Sequence, residues 1–356
     1  MHIDENLDEN FCIRPPLEKA EAKAAHVVRV GILALNGANA LDFMGPVDTF
    51  SQANKAQDAS LSYKVDLIGV RAGPIVTSSG IRMLPDRIIG PHLEKYDTIL
   101  IAGSQDIQNA SQDRVLFDWL IASAKTARRI GSICGGAFAL AAAGLLDGRR
   151  VAIQGGYAKQ LTAMFPRVRA ESDQLFVRDG SFYSAAGGAA GIDLCLYLIE
   201  NDCGSTVPLD VARTLLIYLR RHGGQAQVSE FLKAQSIQNT RISDVMDWAL
   251  ENLSADLSVE ELAKRAAMSP RNFRRAFMGE LGTTPARFVE SVRVETARIL
   301  LETSVLSIQQ IAYRVGFVNS GNMRRAFLRV MKSSPADYRD RRSMDAADSN
   351  IVSFAN

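Results

Sequence analysis

The chain has 356 residues, more than one hydrophobic core organises, so two domains are expected. Apolar residues make up 47% and charged residues 22%, with 26 glycines and 11 prolines, which excludes wholesale disorder, collagen-like sequence and coiled coil. The formal charge is +2, but residues 241–342 carry 17 Lys and Arg against 12 Asp and Glu, while the remainder carries 24 against 27. A basic C-terminal third therefore joins a mildly acidic body, a balance that suits a polyanion as well as a solvated surface.

Residues 1–26 are polar, acidic at the start and interrupted by Pro15-Pro16, and read as a disordered tail with neither the basic nor the apolar region of a signal peptide. The longest apolar run, Ile133 to Leu146, is broken by glycines and, at about 14 residues, is shorter than the ~18–20 needed to span a bilayer. No membrane contact and a cytoplasmic location are expected. The four cysteines, Cys12, Cys134, Cys195 and Cys203, show no CxxC or Cys/His spacing, so neither a disulfide framework, a metal nor a cofactor is expected.

From Val27 onward, β-branched runs at Val27–Leu35, Tyr63–Val70, Thr98–Ala102 and Arg129–Ile133 alternate with helix-length stretches at Pro46–Gln57, Asp113–Ala127 and Gly136–Ala143. That alternation predicts βαβ units and a parallel sheet covered on both faces, an α/β fold. Further strands are expected at Val151–Gln154, Leu175–Arg178 and Ser181–Ala185, and closing helices at Gly191–Asn201 and Leu209–Arg221. The first domain is thus placed at residues 27–222 and a linker, opening on Gly223-Gly-Gln-Ala-Gln-Val, at 223–240. Over 241–342 strand signals vanish and Val259, Leu262, Ala263 and Ala266 recur at helical spacing, so the second domain is all-α. Residues 343–356 read as a second disordered tail.

The helical domain contains a repeat. Ser258-Val-Glu-Glu-Leu-Ala-Lys-Arg matches Ser307-Ile-Gln-Gln-Ile-Ala-Tyr-Arg at an offset of 49. Asn272-Phe-Arg-Arg-Ala-Phe277 matches Asn322-Met-Arg-Arg-Ala-Phe327, and Thr284-Pro-Ala-Arg-Phe288 matches Ser334-Pro-Ala-Asp-Tyr338, at an offset of 50. Each copy reads helix, turn, helix. Ser269 as N-cap and Pro270 at the first helical position start the second helix of copy one; copy two starts at Asn319 or Ser320. Phe273 and Phe277, like Met323 and Phe327, lie four apart and face a core. The other faces present Arg271, Arg274 and Arg275 in copy one, and Ser320, Gly321, Asn322, Arg324 and Arg325 in copy two. Guanidinium forks and an amide at helix N-terminal turns suit base edges and phosphates, and two such helices in tandem can enter successive major grooves about 34 Å apart. The segment resembles the AraC/XylS-type DNA-binding domain over residues 241–342, including Ile311-Ala-Tyr-Arg-Val-Gly-Phe317 and Ser334-Pro-Ala-Asp-Tyr-Arg339. It departs at Ser333, where that family usually has glycine, which implies a local change in that turn.

In the first domain, Arg129-Ile-Gly-Ser-Ile-Cys134-Gly-Gly-Ala-Phe-Ala-Leu140 sets a cysteine between a strand and a glycine-led helix. This is the pattern of a nucleophile elbow, whose helix N-terminus can lower a thiol pKa and supply oxyanion donors; a small apolar residue in a tight turn fits it equally well. Leu41-Asp-Phe-Met-Gly-Pro46, Ala102-Gly-Ser104, Ala142-Ala-Gly-Leu-Leu-Asp-Gly-Arg-Arg150 and Gly187-Gly-Ala-Ala-Gly-Ile-Asp193 make residues 27–222 similar to the PfpI-like branch of the class I glutamine-amidotransferase-like fold, a flavodoxin-like parallel-sheet sandwich. With the helical domain following, the chain resembles the GlxA-like (FtrA-like) transcriptional regulators.

The resemblance implies a DNA-binding regulator whose partners are promoter DNA, a small-molecule inducer, RNA polymerase and a second copy of the chain. It suggests control of nitrogen-compound catabolism, with amino acids, polyamines or quaternary amines as inducers. Enzymes of the superfamily pair the elbow cysteine with a histidine in a Thr-Thr-His-Trp stretch after Gly-Arg-Arg. Here the stretch is Val151-Ala-Ile-Gln154-Gly155, and His2, His26, His92 and His222 lie elsewhere. Glutamine cannot accept a proton near neutral pH, and Gly135 stands where catalytic relatives often carry a polar side chain, so no catalytic residue is expected. What remains is a binding pocket of Asp42, Gly103, Ser104, Cys134, Gly135, Gln154 and Gly188. Asp42 suits a cationic ligand, or holds a loop. Two alternatives stay open: a redox sensor switching at Cys134, and a bifunctional hydratase, amidase or deglycase acting through the same thiol.

Overall fold

The computed structural model describes residues 26–56, 61–90, 95–103, 113–218, 220–235 and 237–340. Most of the first expected tail, the whole of the second, Cys12 and Ser104 lie outside the described residues. The chain opens with β1 (His26–Ala34), α1 (Ala40–Ala56) and β2 (Leu61–Gly69), then three two-residue strands, β3 (Ile75–Val76), β4 (Arg82–Met83) and β5 (Arg87–Ile88). It continues through β6 (Thr98–Gly103), α2 (Arg114–Ala124), β7 (Arg129–Cys134), α3 (Gly136–Ala142), β8 (Arg150–Ala152) and α4 (Gly155–Met164). The first domain closes with β9 (Arg169–Glu171), β10 (Phe176–Asp179), β11 (Phe182–Ala185), α5 (Ala189–Cys203) and α6 (Thr206–Thr214).

Seven of these strands form one sheet in the order β10-β11-β7-β6-β1-β2-β5, parallel throughout except for the β10–β11 pair. β6 and β7 are buried at every position, as strands covered on both faces must be. One face packs Val30, Ile32 and Leu100 against Phe43 and Phe50 of α1 and Leu194 of α5. The other packs Leu33, Ile99 and Ile101 against Leu116 and Leu120 of α2 and Phe138 and Leu140 of α3.

The local differences from the sequence reading have physical causes. α1 starts at Ala40 rather than Pro46, so Pro46 sits inside the helix and cannot donate to the Asp42 carbonyl; Thr49 Oγ1 donates to the Gly45 carbonyl one turn on, at 2.7 Å. The helix expected over Leu209–Arg221 stops at Thr214. Leu216 turns left-handed there, with φ of 54°, and Arg220 and Arg221 instead reach Glu200 and Asp193 of α5 at 2.9 and 2.7 Å. β3, β4 and β5 are too short to carry an alternation signal.

The segment expected to be a linker contains α7 (Glu230–Gln235). After it come α8 (Thr240–Glu251), α9 (Val259–Arg265), α10 (Pro270–Leu281), α11 (Pro285–Thr303), α12 (Ile308–Arg314) and α13 (Ser320–Met331). α11 is shared between two cores. Its Phe288, Val289 and Val292 join Phe273 and Phe277 of α10, while its Val294, Ala297 and Leu301 join Met323 and Phe327 of α13. The duplication extends to backbone conformation: Ala267 and Gly316 hold φ of 52° and 88° in the paired turns, and Gly282 and Lys332 hold 65° and 55° at the paired helix ends. The left-handed residue is Lys332 and not Ser333, which is buried and donates its hydroxyl to the Ser334 carbonyl at 3.4 Å. Among the described residues no helix is long and apolar enough to cross a membrane.

Candidate functional site

Cys134 is the last residue of β7 and takes φ of 53°, a strained value for a side chain bearing a Cβ. The surrounding glycines leave no alternative packing. A Cβ on Gly103 would meet Gly135 at 2.0 Å, and one on Gly187 would meet the Cys134 Cβ at 2.8 Å. Gly103 and Gly135 thus let β6 and the start of α3 pack close together. Gly188 turns the chain into α5 with φ of 54°, and its N–H donates to Asp42 Oδ1 at 2.5 Å. Asn39 Nδ2 donates to the other Asp42 oxygen at 3.4 Å. Asp42 is fully buried. Both its oxygens are engaged by the loops it joins, so it holds the Gly187–Gly188 turn rather than presenting a free anion.

Cys134, Gln154 and Gly188 line one cavity of about 680 Å³, within the range of small-molecule sites. Gly155 and Gly156 of α4 and Ala189 and Ala190 of α5 also border it. The N-caps of those two helices, Gln154 and Gly188, make no side-chain capping bond; the first-turn N–H groups of Tyr157, Ala190 and Gly191 donate instead to the Gln154, Gly187 and Gly188 carbonyls. Among the described residues the cavity lining includes no histidine. His222 instead stands 3.8 Å from Glu302 of α11. The expectation that a helix N-terminus lowers the Cys134 pKa is corrected: burial, then the charge of Asp42, push the thiol up to about 11 against the opposing Gly135 N–H. α3 is only seven residues long, and desolvation outweighs its few dipoles. At neutral pH the thiol is therefore held in its protonated form.

In the helical domain, α10 begins at Pro270 with Ser269 accepting from the Asn272 N–H at 3.4 Å. α13 begins at Ser320, with Asn319 as the N-cap accepting from Asn322 at 2.8 Å. Arg271, Arg274 and Arg275 are exposed on α10; Gly321, Arg324 and Arg325 are exposed on α13, with Ser320 and Asn322 partly so. Arg274 faces Glu260 at 3.6 Å with both side chains in solvent, a pairing weak enough to yield to a phosphate. Arg325 donates to the Asn322 side chain at 2.5 Å, orienting the two side chains together.

Residues 28–201 match the DJ-1/PfpI family and residues 262–341 a helix-turn-helix domain. The HTH-type transcriptional regulator Rv1931c of Mycobacterium tuberculosis is 30% identical over 264 residues, covering 71% of this chain and 98% of that protein. The chain belongs to the GlxA-like transcriptional regulators. GlxA of Rhizobium meliloti is 25% identical over 90% of this chain and 98% of its own length. GbdR of Pseudomonas aeruginosa is 27% identical over 87% of this chain and 83% of its own. This GlxA-like protein is therefore a DNA-binding transcriptional regulator with a PfpI-like domain.

Sequence reasoning missed several groups that the regulator gathers around the cavity: Asn39, Ser172 and Asp173, and from beyond the first domain Gln227, Val228 and Lys233. No spacing or motif marks them. Only Asp193 could have pointed there: it ends the glycine-rich motif, and it accepts from the Arg221 backbone N–H at 3.1 Å and from Nε at 2.9 Å, pinning the start of the linker beside the cavity.

Proposed function

We propose that the cavity beside Cys134 binds a small polar, nitrogen-containing metabolite, and that its occupancy sets how the two helix-turn-helix units act on promoter DNA. The observation carrying this reading is a cavity of about 680 Å³ whose thiol is held near pKa 11 and whose lining, among the described residues, includes no histidine. A buried, protonated thiol with no histidine beside it among the described residues favours binding over turnover. The raised thiol equally argues against a peroxide switch, which needs a thiolate.

On this reading the regulator acts as a homodimer on two repeated half-sites and contacts RNA polymerase there, since one pair of short recognition helices buries limited surface. The test is a thermal-shift screen of amino acids, polyamines and quaternary amines on the full chain. A true inducer at 100 times its Kd adds about 2.7 kcal/mol to stability. A screen of those three classes with no shift counts against the reading, and so does any compound that the protein consumes.

A further inference from the structure

The cavity is not closed by the PfpI-like domain alone. Residues 223–228 run along that domain as a bent segment with one bridge: Leu175 N–H donates to the Gln225 carbonyl at 3.0 Å, Phe176 N–H to the Gly223 carbonyl at 3.3 Å, and Gln174 bridges to Ala226 in antiparallel fashion. Contact is close enough that a Cβ on Gly223 would meet the Phe176 carbonyl oxygen at 2.4 Å. Gln227 then donates both amide hydrogens inward, to the carbonyls of Ile153 at 2.9 Å and Gln174 at 3.0 Å, next to the wall residue Gln154. Val228 and Lys233 follow in the same wall.

The other end of this segment is held by the DNA-binding half. Gln225, with its amide oxygen turned toward its donor neighbours, accepts from Arg298 of α11 at 2.8 Å. Glu230 N–H at the start of α7 donates to Glu295 of α11 at 3.1 Å. α11 is the helix that supplies both helix-turn-helix cores.

We propose that Gln227, Val228 and Lys233 are ligand-contacting residues, so that filling the cavity and holding the 223–228 segment in place are one equilibrium, transmitted to α11. This rests on the metabolite-sensing reading above and adds the route by which it reaches DNA. The physical requirement for coupling is met by a single element whose position both sites bias. The segment is held by a few hydrogen bonds, the kind of element that opens locally without global unfolding.

The test needs no knowledge of the metabolite. In the full chain, iodoacetamide alkylates Cys134 when its sulfur displaces iodide and the thiol proton passes to buffer, and peptide mass spectrometry resolves this site from the other cysteines. Release of the segment by Gln227→Ala or by Gly223→Ala should raise the Cys134 alkylation rate at least about threefold, because the reaction reports the open population. A smaller rise in both overturns the proposal.

The same question is asked of the wild-type fold, in case neither variant folds. The carboxamidomethyl group on Cys134 stands in for an occupant, and should change hydrogen-exchange protection of the Leu175 and Phe176 amides, whereas reagent-treated Cys134→Ser should not differ from its untreated form. Unchanged protection in the alkylated wild type overturns the coupling. A metabolite screen without hits would defeat the sensing reading and leave these rates untouched, so the two failures are distinguishable.

Discussion

The carboxylate of Asp42 receives the backbone N–H of Gly188 at 2.5 Å and contributes to the raised pKa of the Cys134 thiol. One buried side chain therefore shapes the turn into α5 and adds to the burial that keeps the elbow thiol protonated. Burial holds Asp42 itself above the ordinary carboxylate range. Between its unfolded and folded pKa values the folded chain binds the proton more tightly, so this group's contribution is full below the unfolded value and is lost as pH rises through the folded one. Asp42→Asn keeps the acceptor and removes the charge. Denaturant melts at a series of pH values should show the variant gaining on wild type as pH rises through that window; a gap flat with pH would contradict the assignment. The Cys134 thiol should also titrate below about 11 in this variant, read by alkylation rate against pH.

Cys134→Ser preserves size and hydrogen bonding while removing the nucleophile, and should leave ligand-dependent transcription within a few-fold of wild type. Cys134→Leu forces a bulky branched side chain into a left-handed position (φ 53°) facing Gly187, and should abolish the response. Reporter assays with and without reductant decide the matter: loss in serine together with loss in reduced wild type would favour the redox alternative.

The helical domain should make the regulator bind DNA with an affinity that falls steeply with salt, since phosphate contacts release counterions. Arg274→Ala or Arg324→Ala should cost about 1–3 kcal/mol of binding and relax preference at one operator position if the residue reads a base. Uniform weakening on all sequences, measured by anisotropy titration, would make it a phosphate contact.

Two glycines of the repeat should respond differently to alanine. Gly282 has φ of 65° with nothing within 4 Å of an added Cβ, so Gly282→Ala should cost about 1 kcal/mol, the left-handed penalty alone. At Gly316 an added Cβ would meet the Leu253 carbonyl oxygen at 1.9 Å, so Gly316→Ala should cost more than about 3 kcal/mol. Urea unfolding of both variants tests the ordering.

Asp202 takes two hydrogen bonds from Arg129, both at 2.7 Å, with both side chains about 5% exposed or less. Asp202→Ala strands that guanidinium and should destabilise the sheet domain by about 3–5 kcal/mol. Replacing both partners with apolar residues should recover much of the loss, which calorimetry on single and double variants would measure.

The parts legible in the sequence are those whose cause is local. The strand–helix alternation from Val27, the capped start at Ser269-Pro270 and the duplicated Asn272-Phe-Arg-Arg-Ala-Phe277 and Asn322-Met-Arg-Arg-Ala-Phe327 all rest on periodicity and capping within a few residues. The elbow at Cys134 was legible too, because Gly135 and Gly136 announce a tight strand-to-helix turn.

What the tertiary structure decided are quantities summed over distant segments. Asp42 and Gly188 lie 146 positions apart. Pro46 ends up inside a helix that α5 covers, and Gln227 reaches back 74 positions to the Ile153 carbonyl. The direction of the Cys134 shift follows the same rule. A helix N-terminus is visible in the local sequence and argues for a lowered pKa, but burial by the assembled sheet and the charge of Asp42 exist only once the chain is folded, and desolvation is the larger effect.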